Sequence, residues 1–320
     1  MNILLTGATG FVGEPVANQL AEHNSFNVTA AVREKSKRLI SNVKQIVIGD
    51  LLSAPDWEKH LLGIDVVIHT AARAHVMSDA AIDPLLEFRK MNVEVTLNLA
   101  RQAAQAVVKR FVFISSIKVN GEATAEGFSF TPDDTHITTD PYGMSKREAE
   151  QGLRAIGQAT GMEVVIIRPP LVYGPGVKAN FRSLVKLMSK GVPLLLGAIH
   201  NKRSFVALDN LVDFMIVCAN HPKAANEIFL ISDGEDVSTT TLLNNIAQAF
   251  GKKVFLISLP VTFMKCLANL VGKGDVADKL FGSLQVDISK SRELLGWEPL
   301  VTMNEQLKKT AEAYKNEENS

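Results

Sequence analysis

Short apolar runs alternate with longer amphipathic segments over the first two thirds of the chain. Ile3–Leu5, Val28–Val32, Ile46–Ile48, Val66–Ile68, Phe111–Ile114 and Val164–Ile167 are almost uninterrupted apolar runs. A strand with both faces apolar is buried on both faces, as in parallel sheets covered by helices. Between these runs, Val12–Glu22, Leu85–Ala106 and Ser145–Thr160 carry apolar residues at helical spacing. The alternation predicts an α/β fold of the Rossmann type, a doubly wound parallel sheet with helices on both sides.

After Arg168 the pattern loosens. Pro169, Pro170, Gly174, Pro175 and Gly176 crowd into one short stretch and predict a long turn. Further on, Phe181–Lys190, Asn210–Ala219 and Thr240–Phe250 again have helical spacing. The expected division is a sheet-based unit over residues 1–174 and a smaller region over 175–320, with Phe229–Ile231 returning to the sheet. The tail Lys315–Ser320 reads as disordered, and no internal repeat is present.

Composition narrows the function classes. Lys+Arg and Asp+Glu are both 34, so the basic excess of a dedicated nucleic-acid binder is missing. Cys218 and Cys266 stand alone, without metal-ligand spacing, which predicts neither a disulfide framework nor a metal site and fits a reducing, cytoplasmic setting. The opening MNILLTGATG has no basic n-region, and Leu259–Val271 is broken by Pro260 and Lys265. Neither predicts insertion into a membrane.

Three motifs carry chemistry. Gly7-Ala8-Thr9-Gly10-Phe11-Val12-Gly13 follows the first strand and opens the first helix. Gly7 suits a tight turn, Gly10 lets the backbone approach a pyrophosphate, and Gly13 permits close packing of helix on sheet. Phe11 and Val12 lie at the helix N-terminus, where amides and dipole favour an anion. The bland alternative is a glycine-rich turn that packs without a ligand. Next, Tyr142-Gly143-Met144-Ser145-Lys146 puts Tyr142 and Lys146 four residues apart, on one face if helical. A phenol ordinarily titrates near ~10, and a nearby ammonium would lower it toward the range of a base. A surface pair at a helix start is the bland alternative. Finally, Ser115-Ser116 ends the strand Phe111–Ile114, where doubly wound sheets bind ligands.

The second strand ends Ala30-Ala31-Val32-Arg33, with Lys35, Lys37 and Arg38 close behind and an acidic residue only at Glu34. An acid at the strand end would accept the ribose hydroxyls of NAD, whereas Arg33 suits a 2′-phosphate. This favours NADP(H) over NAD(H); a solvated basic loop is the alternative.

In this order and on these elements, the motifs resemble the extended short-chain dehydrogenases/reductases of the NAD-dependent epimerase/dehydratase family. Ser116-Ile117-Lys118-Val119-Asn120-Gly121 stands where UDP-glucose 4-epimerases carry a serine, a variable pair and Val-Tyr-Gly, with Asn120 in place of the tyrosine. The resemblance implies Ser116, Tyr142 and Lys146 as catalytic residues. It implies cofactor contacts from Asp50 and Leu51 at the adenine, from Ala71 and Ala72, from Asn92, and from Pro169 beside the nicotinamide. For the substrate it implies Ser115, Ser116, Asn180, Phe181 and Arg203, the last three near a nucleotide diphosphate. It also implies a homodimer built on Leu85–Ala106 and Ser145–Thr160.

Within the family, Ser115–Glu122, His69–Met77 and Ser283–Asp287 are similar to bacterial UDP-N-acetylquinovosamine 4-reductases. That likeness implies reduction of a UDP-4-keto-6-deoxy-N-acetylhexosamine for surface polysaccharide. The alternative is a UDP-glucose 4-epimerase. A dehydratase would need carboxylates where Ile117-Lys118 stands. A non-catalytic dinucleotide sensor is disfavoured by the presence of Ser116, Tyr142 and Lys146.

Overall fold

The computed structural model describes the chain except residues 75–82, 136–137, 190–192, 271, 273 and 319–320. Its strands are β1 (Asn2–Thr6), β2 (Asn27–Val32), β3 (Lys44–Val47), β4 (Val66–His69), β5 (Arg110–Ile114), β6 (Glu163–Arg168), β7 (Leu171–Tyr173), β8 (Arg203–Ala207), β9 (Ile228–Leu230) and β10 (Asp236–Val237). The helices are α1 (Gly13–Glu22), α2 (Glu58–Leu61), α3 (Pro84–Arg89), α4 (Val95–Gln105), α5 (Pro141–Thr160), α6 (Ala179–Ser189), α7 (Leu208–Asn220), α8 (Thr239–Ala249), α9 (Val261–Leu270), α10 (Gly274–Phe281), α11 (Ser289–Leu295) and α12 (Met303–Glu318).

Each predicted apolar run is a strand of one seven-stranded parallel sheet, ordered β3-β2-β1-β4-β5-β6-β9. Because side chains alternate along a strand, β1 feeds two cores. Ile3 and Leu5 pack with Val16 and Leu20 of α1 and with Leu211, Phe214 and Met215 of α7. Leu4 faces the other way, among Leu99 and Ala103 of α4 and Ala149 and Leu153 of α5. Full burial of each such side chain is worth ~1.5–3 kcal/mol, so the two apolar faces of the sheet dominate its stability.

The chain leaves this sheet at Arg168, forms β7 and β8, and returns as β9 beside β6. A second sheet, β10-β8-β7, carries its own core of Tyr173, Phe181, Val185, Phe205, Leu243, Ile246, Leu307 and Ala311. The tail departs from expectation. Instead of fraying at Lys315, α12 continues to Glu318, anchored by buried Leu307, Ala311 and Tyr314. No described helix is long and apolar enough to cross a membrane.

Candidate active site

The strand order reverses between β1 and β4, which opens a crevice at the carboxyl ends of Thr6 and His69. The glycine motif lies there. Gly7 has φ +72°, and a Cβ on it would lie 2.6 Å from the amide nitrogen of Ala71. A Cβ on Gly13 would meet the Gly7 carbonyl oxygen at 2.2 Å, so this glycine lets α1 sit against the turn. Gly10 is exposed, and its only close neighbour would be the Gly7 carbonyl at 3.1 Å. The backbone is thus open on one side. The residue before α1, Val12, supplies no side-chain cap; the Glu14 amide is taken by the Gly10 carbonyl at 3.1 Å, so it is the backbone just ahead of it, Phe11 to Gly13, that an external acceptor would meet. Turn, open glycine and uncapped helix fit a dinucleotide pyrophosphate. Thr70 completes the turn: its hydroxyl donates to the Thr6 carbonyl at 2.8 Å and would touch a Cβ on Gly7 or Gly13.

Beside the turn, His69 is buried between hydroxyls, Nδ1 2.7 Å from Thr6 Oγ1 and Nε2 3.0 Å from Thr96 Oγ1. Burial, and then the Lys146 charge, lower its pKa from 6.5 to about 3. An unfolded histidine binds its proton near pH 6.5, so between about 6.5 and about 3 the unfolded chain holds more protons than the folded one. The stability this histidine contributes is complete above 6.5 and is lost as pH falls through that window. Urea midpoints should therefore decline over this range, and His69→Gln should show a shallower decline.

Asn92 is fully buried within a π-helical segment, Lys90–Glu94, that joins α3 to α4. Its amide brackets Arg73, accepting from the backbone nitrogen at 2.9 Å and donating to the carbonyl at 3.2 Å. It also donates to Ser145 Oγ at 3.0 Å, tying the loop after β4 to α5. Ala71 is buried and Ala72 half-buried beside this clasp. Asp50 and Leu51 follow β3, where the Asp50 carboxylate accepts from the Leu52 amide at 3.1 Å. Pro169 is buried, and its carbonyl accepts from the Ile117 amide at 2.9 Å, which joins the β6 exit to the serine turn.

The helix that carries Tyr142 and Lys146 begins earlier than its periodicity suggested. Asp140 caps α5 by accepting from the Gly143 amide at 2.8 Å, and Pro141 occupies the first turn. Tyr142 and Lys146 are therefore both helical. A Cβ on Gly143 would lie 2.6 Å from the Lys118 carbonyl, so a glycine here lets the Tyr142 turn approach the Ser116–Asn120 loop. The Ser116 hydroxyl acts on the Tyr142 phenol in the direction that favours its ionised form. The Tyr142 ring lies edge-on to Phe88 at 5.7 Å and 6.0 Å from the Lys118 ammonium, which is paired with Asp140 at 2.8 Å.

The electrostatics differ from the sequence expectation. Burial, and then the Asp140 carboxylate, hold the Tyr142 pKa above its ordinary value, while Ser116 acts in the opposite direction. The Lys146 ammonium donates to the Ile114 carbonyl at 2.8 Å and lies 4.4 Å above the Phe113 ring. Burial brings it down to about 7, opposed by Glu150. The large shift toward neutrality therefore falls on the lysine.

Behind the two serines lies a buried charge network that sequence reasoning missed. Ser115 Oγ donates to Glu150 Oε1 at 2.5 Å. Arg168 grips the same carboxylate through Nε and Nη2 at 2.9 and 2.6 Å, and its Nη1 donates to Asn120 Oδ1 at 3.0 Å. Only 7% and 4% of the Arg168 and Glu150 side chains is exposed. Asn120, at the position of the expected tyrosine, thus receives an arginine proton and donates to the Thr131 carbonyl at 2.7 Å. The one available hint was a charged residue closing the apolar run Val164–Ile167.

A polar cavity of about 650 Å³ is lined by Asn120, Thr124, Phe128, Thr138 and Asp140. The expected substrate residues occupy different settings. Arg203 donates to the carbonyls of Lys279 and Gly282 at 2.6 and 3.2 Å. Both acceptors are uncharged, and burial lowers its pKa, so an anion would relieve a partly desolvated cation. Phe181 is 2% exposed and stacks on Tyr173 at 5.5 Å, inside the second core. The side chain of Asn180 and residues 75–77 of the His69–Met77 run lie outside the described residues. Arg33 is exposed at the end of β2. Arg38 instead crosses the glycine turn, bonding the Thr9 carbonyl and pairing with Glu14 at 3.1 Å.

A doubly wound sheet with Ser116, Tyr142 and Lys146 at its carboxyl edge defines the class of short-chain dehydrogenases/reductases. The chain belongs to the NAD dependent epimerase/dehydratase family, whose profile matches residues 3–232, and is thereby an enzyme of an NAD-dependent family. It is 48% identical over 314 residues to a UDP-glucose 4-epimerase of Vibrio cholerae, covering 98% of this chain and 95% of the relative. Its fold matches that of a UDP-glucuronic acid 4-epimerase from Bacillus cereus in complex with NAD, with a TM-score of 0.80, 23% identity and 99% of each chain covered. A UDP-glucose 4-epimerase with UDP-glucose from Thermotoga maritima matches at a TM-score of 0.75 and 25% identity, again over 99% of each chain.

Proposed function

We propose that this protein is a UDP-hexose 4-epimerase that works on an enzyme-bound NAD. The 48% identity to the Vibrio cholerae epimerase carries this reading, and it displaces the 4-keto reduction that short sequence runs had favoured. NAD, when bound, would supply a reversible hydride acceptor for C4, and inversion requires the 4-keto sugar to present its other face before the hydride returns. The chain's own residues manage the proton and the ligands. Gly10, Phe11 and Val12 offer backbone to the pyrophosphate, with Gly7 and Gly13 shaping the turn. Ala71, Ala72, Asp50, Leu51, Asn92 and Pro169 frame the remainder of the cofactor. In its ionised form Tyr142 takes the proton of the C4 hydroxyl, and as the phenol it later returns it. Ser116 binds the same oxygen, and Lys146 and Ser115 hold the geometry around it. Arg203 on β8 meets the diphosphate of the UDP-sugar together with Asn180 of α6, a helix that the buried Phe181 anchors in the second core.

The test is incubation with UDP-glucose without added cofactor, followed by product analysis. UDP-galactose is the expected product. No interconversion, together with NADPH-dependent consumption of a UDP-4-keto-6-deoxy-sugar, would overturn the reading in favour of a 4-reductase. That second reading rests on Arg33 and the absence of an acid at the end of β2. It requires NADPH to bind more tightly than NADH by ~1.5–3 kcal/mol, the worth of a charge-assisted contact. Arg33→Ala should then erase the difference, and equal affinities measured by titration would remove the reading.

We further infer a homodimer through α5 and the helical run from α3 to α4. These segments pack on one another over the sheet, and their outer faces are available for a four-helix contact. Sedimentation should give twice the mass of 34.8 kDa; a single monomer species at micromolar protein would refute it.

A further inference from the structure

From Val237 to Gly274 the sequence contains no aspartate or glutamate, while Lys252, Lys253, Lys265 and Lys273 fall within it. The whole chain is formally neutral, so this is a local imbalance. The same stretch exposes large apolar side chains: Phe255 is 67% exposed, Phe263 54% and Leu270 79%. Phe255 and Ile257 are two residues apart in an extended segment whose central Leu256 bridges to Leu194, so they share a face. In α9, Phe263, Cys266 and Leu270 follow helical spacing and are exposed, whereas Met264 is buried.

Isolated exposed apolar residues need no explanation. A stretch of chain that exposes several of them beside the exposed Lys252 and Lys253, and has no acidic residue of its own, has the composition of segments that lie in a lipid–water interface. We propose that the segment from Lys252 to Leu270 is a docking surface for an anionic phospholipid bilayer, on which the enzyme lies without spanning it. Charge selects the occupant. A second copy of the same lysine-bearing surface is repelled, whereas phosphatidylglycerol attracts it. The surface also has a position that matters. α9 is joined to α10 by the Lys265–Asp278 pair at 2.9 Å, and the end of α10 supplies the carbonyls that hold Arg203. Docking would set the diphosphate side of the site toward the membrane, whichever reaction the site performs.

The test is co-sedimentation of the full chain with vesicles of phosphatidylglycerol and phosphatidylcholine, against vesicles of phosphatidylcholine alone. Binding to the anionic vesicles is expected, with loss at high salt. Lys252→Glu with Lys253→Glu, and separately Phe263→Ser with Leu270→Ser, should each lower partitioning by at least about tenfold. Both double variants should keep the wild-type melting temperature and the wild-type rate on a soluble UDP-sugar. Failure of the wild type to bind anionic vesicles overturns the proposal, as does binding that neither double variant weakens. Lipid-free self-association that the Phe263/Leu270 variant abolishes would also overturn it, assigning the surface to a second copy.

Discussion

Tyr142→Phe is expected to lower turnover ~10²- to 10⁴-fold, the usual cost of removing a general acid or base, while dinucleotide content stays at the wild-type level. The substitution removes one oxygen. It spares the ring contact with Phe88 and the Asp140 cap that sets the helix start. Since Lys146 is brought down to about 7 and its ammonium is the charge that favours the phenolate, the rate should fall as pH rises through that value. That limb should be absent from any residual activity of the variant, which has no phenol for the lysine to act on. Turnover within a few-fold of wild type would remove Tyr142 from its assigned role.

Arg168→Met is expected to cost ~3–5 kcal/mol of stability, because it strands the Glu150 carboxylate in a buried site. Urea unfolding followed by circular dichroism measures this directly. The double variant Arg168→Met/Glu150→Leu should recover most of the loss, since replacing both buried charges with apolar groups is often close to neutral. The functional outcome should differ from the stability outcome. In the double variant Ser115 loses its acceptor and Asn120 its arginine, so the serine turn is freed even where the fold is regained. Full recovery of both stability and turnover would mean that the network serves packing alone.

The two kinds of feature differed in how far the sequence announced them. Strands of the main sheet were legible because burial on both faces leaves uninterrupted apolar runs such as Phe111–Ile114. The glycine turn was legible because steric need at Gly7 and Gly13 fixes residue type at fixed spacing. β7, β8 and β10 lie where the pattern along the chain loosens. They have two to five residues, too few for a period to emerge, and Tyr173 reaches Asp233 across 60 positions. The start of α5 was placed too late because Tyr142-Gly143 interrupts the apolar spacing, although Asp140-Pro141 is itself a start signal. The pairing of Glu150 with Arg168 joins a helix to a strand, and nothing in local spacing predicts which charges will meet inside.

The late return of β9 bears on how the chain is made. Until Ile228–Leu230 has been synthesised, β6 has an open edge, and Phe229 has not yet joined Phe214 and Met215 of α7 in the core on that face of the sheet. At ~5–20 residues per second this interval lasts roughly several seconds, during which a Val- and Ile-rich edge strand is exposed beside the ribosome. Nascent chains halted between β6 and β9 should therefore bind trigger-type chaperones and resist soluble release, whereas chains extended past Ile231 should fold on the ribosome to a protease-resistant form.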